Sequence, residues 1–287
     1  MSFDTPLRYP GGKGRLANYV AEIIRMNDLQ GGVYAEPFAG GSGIAISLLK
    51  AEYVRSIHIN DLDRCVYAFW HSVLHDGPWL CEKIKSVTPT LDIWHQQREV
   101  LADKENADLS DLGFATFFLN RTNRSGILTG GVIGGLQQTG KWKIDARYNA
   151  EELAKRVKAI SDLAPRIRLT NLDVMDFIDT SLAEPQSRTF VYFDPPYVGQ
   201  GKALYKNHFK GTDHETLAKA IQERVQVPWI LSYDNDDAIA ELYEERDQEI
   251  FSLNYSAQGH YVGRELMIFA DGLQIPQKVY HTRSRVA

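Results

Sequence analysis

Val191-Tyr192-Phe193-Asp194-Pro195-Pro196-Tyr197 runs three apolar residues, two of them aromatic, into a carboxylate, two prolines and another aromatic. The apolar run reads as the end of a buried strand. Proline donates nothing to a β-ladder and fixes its own φ, so the strand stops at Asp194 and the chain turns rigidly. A carboxylate at the carboxyl end of a buried α/β strand stands where such sheets carry their chemistry. By itself Asp194-Pro195-Pro196-Tyr197 is also an ordinary turn with an aromatic plug. The rest of the chain has to decide between the two.

Three upstream stretches weigh on that choice. Leu7-Arg8-Tyr9-Pro10-Gly11-Gly12-Lys13-Gly14-Arg15-Leu16 leads into a helical spacing of Leu16, Val20, Ile23 and Ile24. Its glycines allow close backbone approach, and Lys13 and Arg15 at a helix start attract an anion or carboxylate. The Walker spacing Gly-x4-Gly-Lys-Ser/Thr is absent. Gly32-Val33-Tyr34-Ala35-Glu36-Pro37-Phe38-Ala39-Gly40-Gly41-Ser42-Gly43 reads as strand, tight turn and helix, which lets backbone amides approach a ligand. Ser56-Ile57-His58-Ile59-Asn60-Asp61 reads as a second strand. It ends in an acid at the distance after the glycines from which a carboxylate grips ribose hydroxyls.

Composition bounds the class. The chain has 287 residues, 44% hydrophobic and 24% charged, enough for a large core in one big domain or two moderate ones. No apolar run approaches the ~20 residues of a membrane span. Met1-Ser2-Phe3-Asp4 lacks the order of a signal peptide, and Cys65 and Cys81 are the only cysteines. A reducing, cytoplasmic setting without disulfides is expected, and no membrane partner. A net charge of -5 argues against blanket binding to nucleic acid, so any such contact needs a local basic patch.

Arg8-Tyr9-Pro10-Gly11-Gly12-Lys13, Glu36-Pro37-Phe38-Ala39-Gly40-Gly41-Ser42-Gly43, Asn60-Asp61 and Asp194-Pro195-Pro196-Tyr197 together resemble the Dam-type family (D12 class, α group) of DNA adenine-N6 methyltransferases. The resemblance implies an α/β, Rossmann-like methyltransferase with a mixed seven-stranded sheet. It also implies an inserted, mainly helical recognition domain with a hairpin loop. On this reading residues 1–66 and 160–287 form the cofactor-binding catalytic domain, and 67–159 the inserted target-recognition domain. The implied methyl donor is S-adenosylmethionine, the product S-adenosylhomocysteine, with no metal. Tyr9, Lys13, Asp61 and Asp194 carry over as pocket positions, with Glu36, Phe38 and Gly40 of the turn as further cofactor contacts. Where this chain has Tyr9 the family often has Trp. Asp173, at the end of the strand pattern Arg166 to Leu172, resembles the position that meets the cofactor adenine; Asp176 competes for it.

Between Tyr67 and Ala159 the pattern turns helical, broken by one glycine-rich stretch. His71 and His75 lie four apart there, but no acid or cysteine joins them, so a solvated face is expected rather than a metal site. Leu112 to Leu119 is an apolar run that delivers Asn120-Arg121-Thr122-Asn123-Arg124-Ser125-Gly126. Gln137, Lys141 and Lys143 follow among glycines. Such side chains make bidentate contacts to base edges or grip phosphates. From Arg121 to Arg168 the count is ten basic residues against four acidic, in a chain acidic overall. Arg121, Asn123, Arg124, Gln137, Lys141 and Lys143 are therefore the candidate contacts to double-stranded DNA. The resemblance allows a cognate restriction endonuclease in the same system, and a monomer is expected.

After the Asp194 motif, Gly199, Gly201 and Gly211 flank Tyr205, His208 and Phe209, an aromatic loop able to close over a substrate. Pro228 to Asn235 reads as a strand, and Glu249–Tyr255 with Leu266–Ala270 as a closing antiparallel pair. The expected reaction is methylation of adenine N6 in duplex DNA. Asp194 and the Pro195 carbonyl would orient the amine, the Pro195-Pro196 pair would hold both rigidly, and Tyr197 would stack on the base. A paired base cannot reach such a pocket, so it must flip out. The alternatives are methylation of RNA adenine or of a protein glutamine amide, or a catalytically silent DNA-binding protein.

Overall fold

Strands β1 (Val33–Glu36) and β4 (Thr189–Phe193) are buried along their whole lengths. Unbroken burial is what a parallel strand covered on both faces requires, and it explains why both read as continuous apolar runs. The two lie side by side, Val33 opposite Thr189 and Ala35 opposite Val191. On the far side of β1 come β2 (Ser56–Asn60) and then β3 (Ile167–Thr170), both parallel. Beside β4 runs β5 (Trp229–Asp234), also parallel. β7 (Tyr261–Phe269) then pairs antiparallel with both β5 and β6 (Gln248–Tyr255). The computed structural model describes residues 5–8, 13–197, 211–255 and 261–276. In it the strands form one seven-stranded mixed sheet, in the order β3-β2-β1-β4-β5-β7-β6. The order reverses between β1 and β4, so their carboxyl ends flank the crevice where open α/β sheets bind ligands.

Both faces are covered. Phe190 and Tyr192 point to one buried cluster, Val191 and Phe193 to the other, as the two-residue period of a strand dictates. The first face carries α1 (Ala17–Met26), α2 (Gly43–Lys50), α3 (Arg64–His75), α4 (Gly77–Ser86), α5 (Leu91–Ala102), α6 (Leu109–Thr122) and α7 (Ala150–Ser161). The second carries α8 (Val174–Ser181), α9 (Gly211–Arg224) and α10 (Asp237–Leu242). Side-chain caps start several helices: Asp63, Asp108, Asn149 and Asp173 each accept an otherwise unpaired amide of the first turn.

The stretch from α3 to α7 is helical, as expected, but it shares its apolar core with α1, α2 and the sheet. The boundaries read at 66/67 and 159/160 fall inside α3 and α7. Its central helix is α6, buried at every residue from Leu112 to Thr122. The hairpin loop expected after α6 is not a two-stranded ladder. Asn123 and Val132 form a single antiparallel bridge, and left-handed backbone at Ser125 and Gly126 breaks any extension of it. Among the described residues, no helix is long and apolar enough to cross a membrane.

α3 and α6 pack closely because position 113 is glycine. A Cβ there would stand 2.2 Å from Ser72 Oγ and 2.5 Å from the Ala68 carbonyl oxygen. Gly113→Ala should therefore lower stability by about 1–3 kcal/mol, since overpacking outweighs the gain of about 1 kcal/mol in helix propensity. Urea denaturation checks this; a more stable variant would contradict the tight crossing.

Candidate active site

Four polar side chains from distant parts of the chain meet beyond the end of β4. Lys13 precedes a short 3-10 turn (Gly14–Leu16) and is buried. Its Nζ donates to Tyr197 Oη and to Glu265 Oε2, and lies 3.8 Å from Asp194 Oδ1. Tyr197 Oη donates to Glu265 Oε1 at 2.9 Å, and the ammonium sits 4.9 Å from the Tyr197 ring centroid. Asp194 is oriented by β5, where Ser232 Oγ donates to its Oδ1 at 2.9 Å. Ser232 is in turn fixed by Tyr192 Oη at 2.7 Å. Burial raises the Asp194 carboxyl above its ordinary pKa, while Lys13 and the Ser232 hydroxyl pull it back. The Glu265 carboxyl is raised in the same way. Pro195 is buried and Pro196 half-buried, so the corner following the acid is held on both sides.

The turn after β1 supplies a second set. Glu36 is buried, and its Oε1 accepts from Tyr34 Oη at 3.0 Å and from the Ala45 amide in α2 at 3.2 Å. Desolvation raises its pKa to about 8 against those two bonds. Phe38 is half-buried against the second core. The Gly40 amide donates to Asp61 Oδ2 at 2.8 Å and its carbonyl accepts from Trp70 Nε1 at 2.9 Å. Asp61 also accepts from the Asp63 amide at 2.9 Å, and burial raises its pKa to about 7. Asn60, singled out by sequence only as the neighbour of Asp61, ties three loops together. Its amide donates to the carbonyls of Pro37 and Leu172, and its carbonyl accepts from Thr170 Oγ1 and the Leu172 amide. Asp173 caps α8 and is exposed, and Asp176 is exposed in the first turn of that helix. Tyr9, the loop bearing Tyr205, His208 and Phe209, and the connector between β6 and β7 lie outside the described residues.

Residues 9–257 match the profile of the D12 class N6 adenine-specific DNA methyltransferases. The chain belongs to that family. Over 264 residues it is 24% identical to a protein of Methanocaldococcus jannaschii described as the Type II methyltransferase M.MjaIII, covering 83% of this chain and 87% of that one. Among solved structures it is similar to the methyltransferase domain of bacterial CtHen1-CN, at 10% identity and a TM-score of 0.41, covering 90% and 98% of the two chains. It is also similar to the rRNA methyltransferase aviRa from Streptomyces viridochromogenes, at 14% identity and a TM-score of 0.37, covering 91% and 86%. The fold assignment stands on the strand order itself.

A D12 enzyme is an S-adenosylmethionine-dependent adenine methyltransferase, and the residues at this edge fit that donor. Asp194 and Glu265 face Lys13, and Glu36 and Asp61 stand in and after the neighbouring strands β1 and β2, an acidic set that suits a sulfonium and an ammonium. The two glycine loops meet: a Cβ on Gly43 would stand 3.4 Å from Gly14 Cα, in van der Waals contact. Each Asp61 oxygen accepts one amide and keeps a further lone pair for a hydroxyl. Among the described residues, no group of three or more His, Cys, Asp or Glu could hold a metal ion.

The six candidate DNA contacts divide. Asn123 is 0% exposed. It donates to the carbonyls of Ile127 and Leu128 and accepts from Trp94 Nε1 at 2.7 Å. That commits its whole amide to the fold, so the expectation that Asn123 reads a base edge is corrected. Arg121 is 8% exposed, donates to the Pro6 carbonyl, and is lowered to about 9 by burial and by Arg8, Arg156 and Arg147. It too is a buried residue of α6. Arg124, Gln137, Lys141 and Lys143 are exposed. Sequence reasoning passed over two neighbours. Trp142 is 59% exposed, with the Lys141 and Arg147 cations 5.7 and 5.8 Å from its ring. Gln138 bonds Ile133, Gly135 and Ile144 and so shapes the loop from within. Asn120 joins this loop to the amino-terminal motif. It accepts from the Arg8 amide at 2.7 Å and donates to the Arg8 and Gly126 carbonyls, both at 2.9 Å.

Two outcomes are expected. The folded state holds protons on Glu36 and Asp61 that the unfolded chain has already lost, so ligand-free stability falls as pH rises from about 4.5 to about 8. Glu36→Gln should flatten that slope in urea midpoints measured across the range; an unchanged slope would contradict the buried acid. Asn123→Ala leaves Trp94 Nε1 and two carbonyls unpaired and should cost about 2–4 kcal/mol of stability. Arg124→Ala should stay within about 0.5 kcal/mol.

Proposed function

We propose that the enzyme methylates N6 of an adenine turned out of duplex DNA, with Asp194-Pro195-Pro196-Tyr197 as the transfer corner. The observation that carries this is the fixed Asp194 carboxylate, aimed by Ser232 and flanked by Lys13 and Tyr197 at the switch point of the sheet. Bound S-adenosylmethionine supplies a methyl made electrophilic by its sulfonium. The chain has to make a conjugated amine nucleophilic. One amine N–H donates to Asp194 and the other to the Pro195 carbonyl, which turns the nitrogen lone pair toward the methyl. As the N–C bond forms and the methyl–sulfur bond breaks, the surplus proton leaves nitrogen for Asp194, whose raised pKa makes it a better proton acceptor than an ordinary carboxylate. Tyr197 stacks on the base. Ser232, already donating to Oδ1, leaves Oδ2 for the amine.

Glu36, Phe38, Gly40 and Asp61 are the residues we assign to the donor, with Lys13 and Tyr9, and Asp173 at the adenine end. Duplex DNA is assigned to the exposed basic loop of Arg124, Gln137, Lys141 and Lys143, with Trp142 between its two cations. Asn123 and Arg121 support that loop from inside.

Tritiated S-adenosylmethionine offered with duplex DNA, RNA and protein tests the reading. Label should enter DNA adenine, and Asp194→Ala should lower the rate by at least about 100-fold. Label in RNA or protein alone would overturn the substrate; full activity without Asp194 would overturn the mechanism. Arg124→Ala should cost about 1–3 kcal/mol of discrimination at one base pair if it reads a base, or weaken all sequences alike if it grips phosphate. Unchanged DNA affinity would remove the loop from the interface.

A further inference from the structure

Glu265 is 2% exposed on β7 and was not singled out by its sequence. It pairs in register with Asp234 of β5, two residues beyond the Ser232 that orients Asp194. Because β7 runs antiparallel to β5, the first of its residues to pair with β5 arrives at the carboxyl edge of the parallel strands. There its two oxygens do different things: Oε2 takes Lys13 Nζ and Oε1 takes Tyr197 Oη. The lysine is thus in contact with Glu265 and 3.8 Å from Asp194.

We infer that Glu265 is a positioning residue for the methyl transfer, holding Lys13 off the acceptor oxygens of Asp194 and fixing the ring of Tyr197. This rests on the assignment of Asp194 as the amine acceptor. The ammonium settles on Glu265, to which it is tied twice: directly through Oε2, and through the Tyr197 hydroxyl, which accepts from Nζ and donates to Oε1. If Lys13 closed fully on Asp194, it would compete with Ser232 at Oδ1 and make the acid a weaker proton acceptor. Glu265 prevents both. By bonding the Tyr197 hydroxyl it also fixes where the phenol end of the ring lies.

The groups around Asp194 allow a clean test. Tyr34 and Glu36 come from β1, Tyr192 from β4, Tyr233 from β5, and Tyr197, Lys13 and Glu265 complete the set. The tyrosines are raised above their ordinary range and stay neutral. Glu36 titrates at about 8. Of these groups Lys13 is the one in ion-pair reach of both Asp194 and Glu265.

Single-turnover methylation of duplex DNA is measured from pH 5 to 9 for wild type, Glu265→Gln and Asp194→Ala. In Glu265→Gln the lysine turns to Asp194. The plateau rate should fall about 10- to 100-fold while the acid limb moves down by about one pH unit, a slower enzyme active at lower pH. A residue that merely stabilised the fold would lower the rate without moving the limb, and that result overturns the inference. Wild-type rate and limb in Glu265→Gln with an inactive Asp194→Ala also overturns it, leaving the acceptor assignment intact. An active Asp194→Ala removes the assignment beneath it. Should Glu265→Gln fail to fold, Glu265→Asp carries the test: its retracted carboxylate must share Lys13 with Asp194, and the limb moves the same way by less. An unmoved limb there overturns the inference.

Discussion

The active edge is organised around the burial of one lysine among several carboxylates. Lys13 is held by Glu265 and Tyr197 and stands beside Asp194; the lysine and Glu265 are buried, and Asp194 and Tyr197 half-buried. Removing charges from water costs several kcal/mol each unless partners replace the hydration. That requirement explains the detail around the site. Asp194 has Ser232, Glu36 has Tyr34 and the Ala45 amide, and Asp61 has the amides of Gly40 and Asp63. The raised pKa values of these acids measure what the partners leave uncompensated. A nearby cation would favour the ionised form of these acids, so a cationic ligand would be bound more tightly as they lose their protons.

Two asparagines convert this edge into one mechanical unit. Asn60 satisfies all its amide groups on the loops after β1 and β3, so the turn bearing Gly40 and the loop leading to Asp173 cannot drift apart separately. Asn120 does the same between the loop after α6 and Arg8. Gly126 completes that second joint. A Cβ there would stand 2.2 Å from the Arg8 carbonyl, and its φ of 77° lies where side chains are strained. Both asparagines are buried, and a buried amide with every group paired is costly to displace.

The strand-turn-helix units around β1, β2 and β4 were legible because buried parallel strands announce themselves as apolar runs ending in glycine, proline or acid. The closing pair of β6 and β7 was legible too, since an antiparallel ladder follows a period of two. Glu265 was not. It sits within a strand, next to Arg264, and a charged pair there reads as a solvated face; only the register with β5 puts it beside Lys13. Asn123 and Arg121 misled in the opposite direction. A polar run after an apolar helix suggests an exposed loop, yet α6 is enclosed on every side, so its last turn is interior. The loop after α6 has no ladder pattern either: beyond the Asn123–Val132 bridge, the Asn123 side chain takes the carbonyls of Ile127 and Leu128. Side chains that replace backbone partners leave no periodicity to read.

Arg124 and Asn123 are adjacent and have opposite fates, one exposed and one at 0% exposure, because the chain leaves the helix between them. That alternation has a consequence for how such an enzyme changes its target. The exposed positions can vary without disturbing the core, whereas Asn120, Arg121 and Asn123 keep the loop anchored to Arg8 and to α5 through Trp94. Arg8 is five residues ahead of Lys13 in the sequence, so the anchor of the loop assigned to DNA and the lysine beside Asp194 lie close together along the chain. Misplacing reacting atoms by as little as 1 Å can cost about 100-fold in rate. An anchor this rigid lets the loop's exposed side chains differ while the aim of Asp194 is preserved.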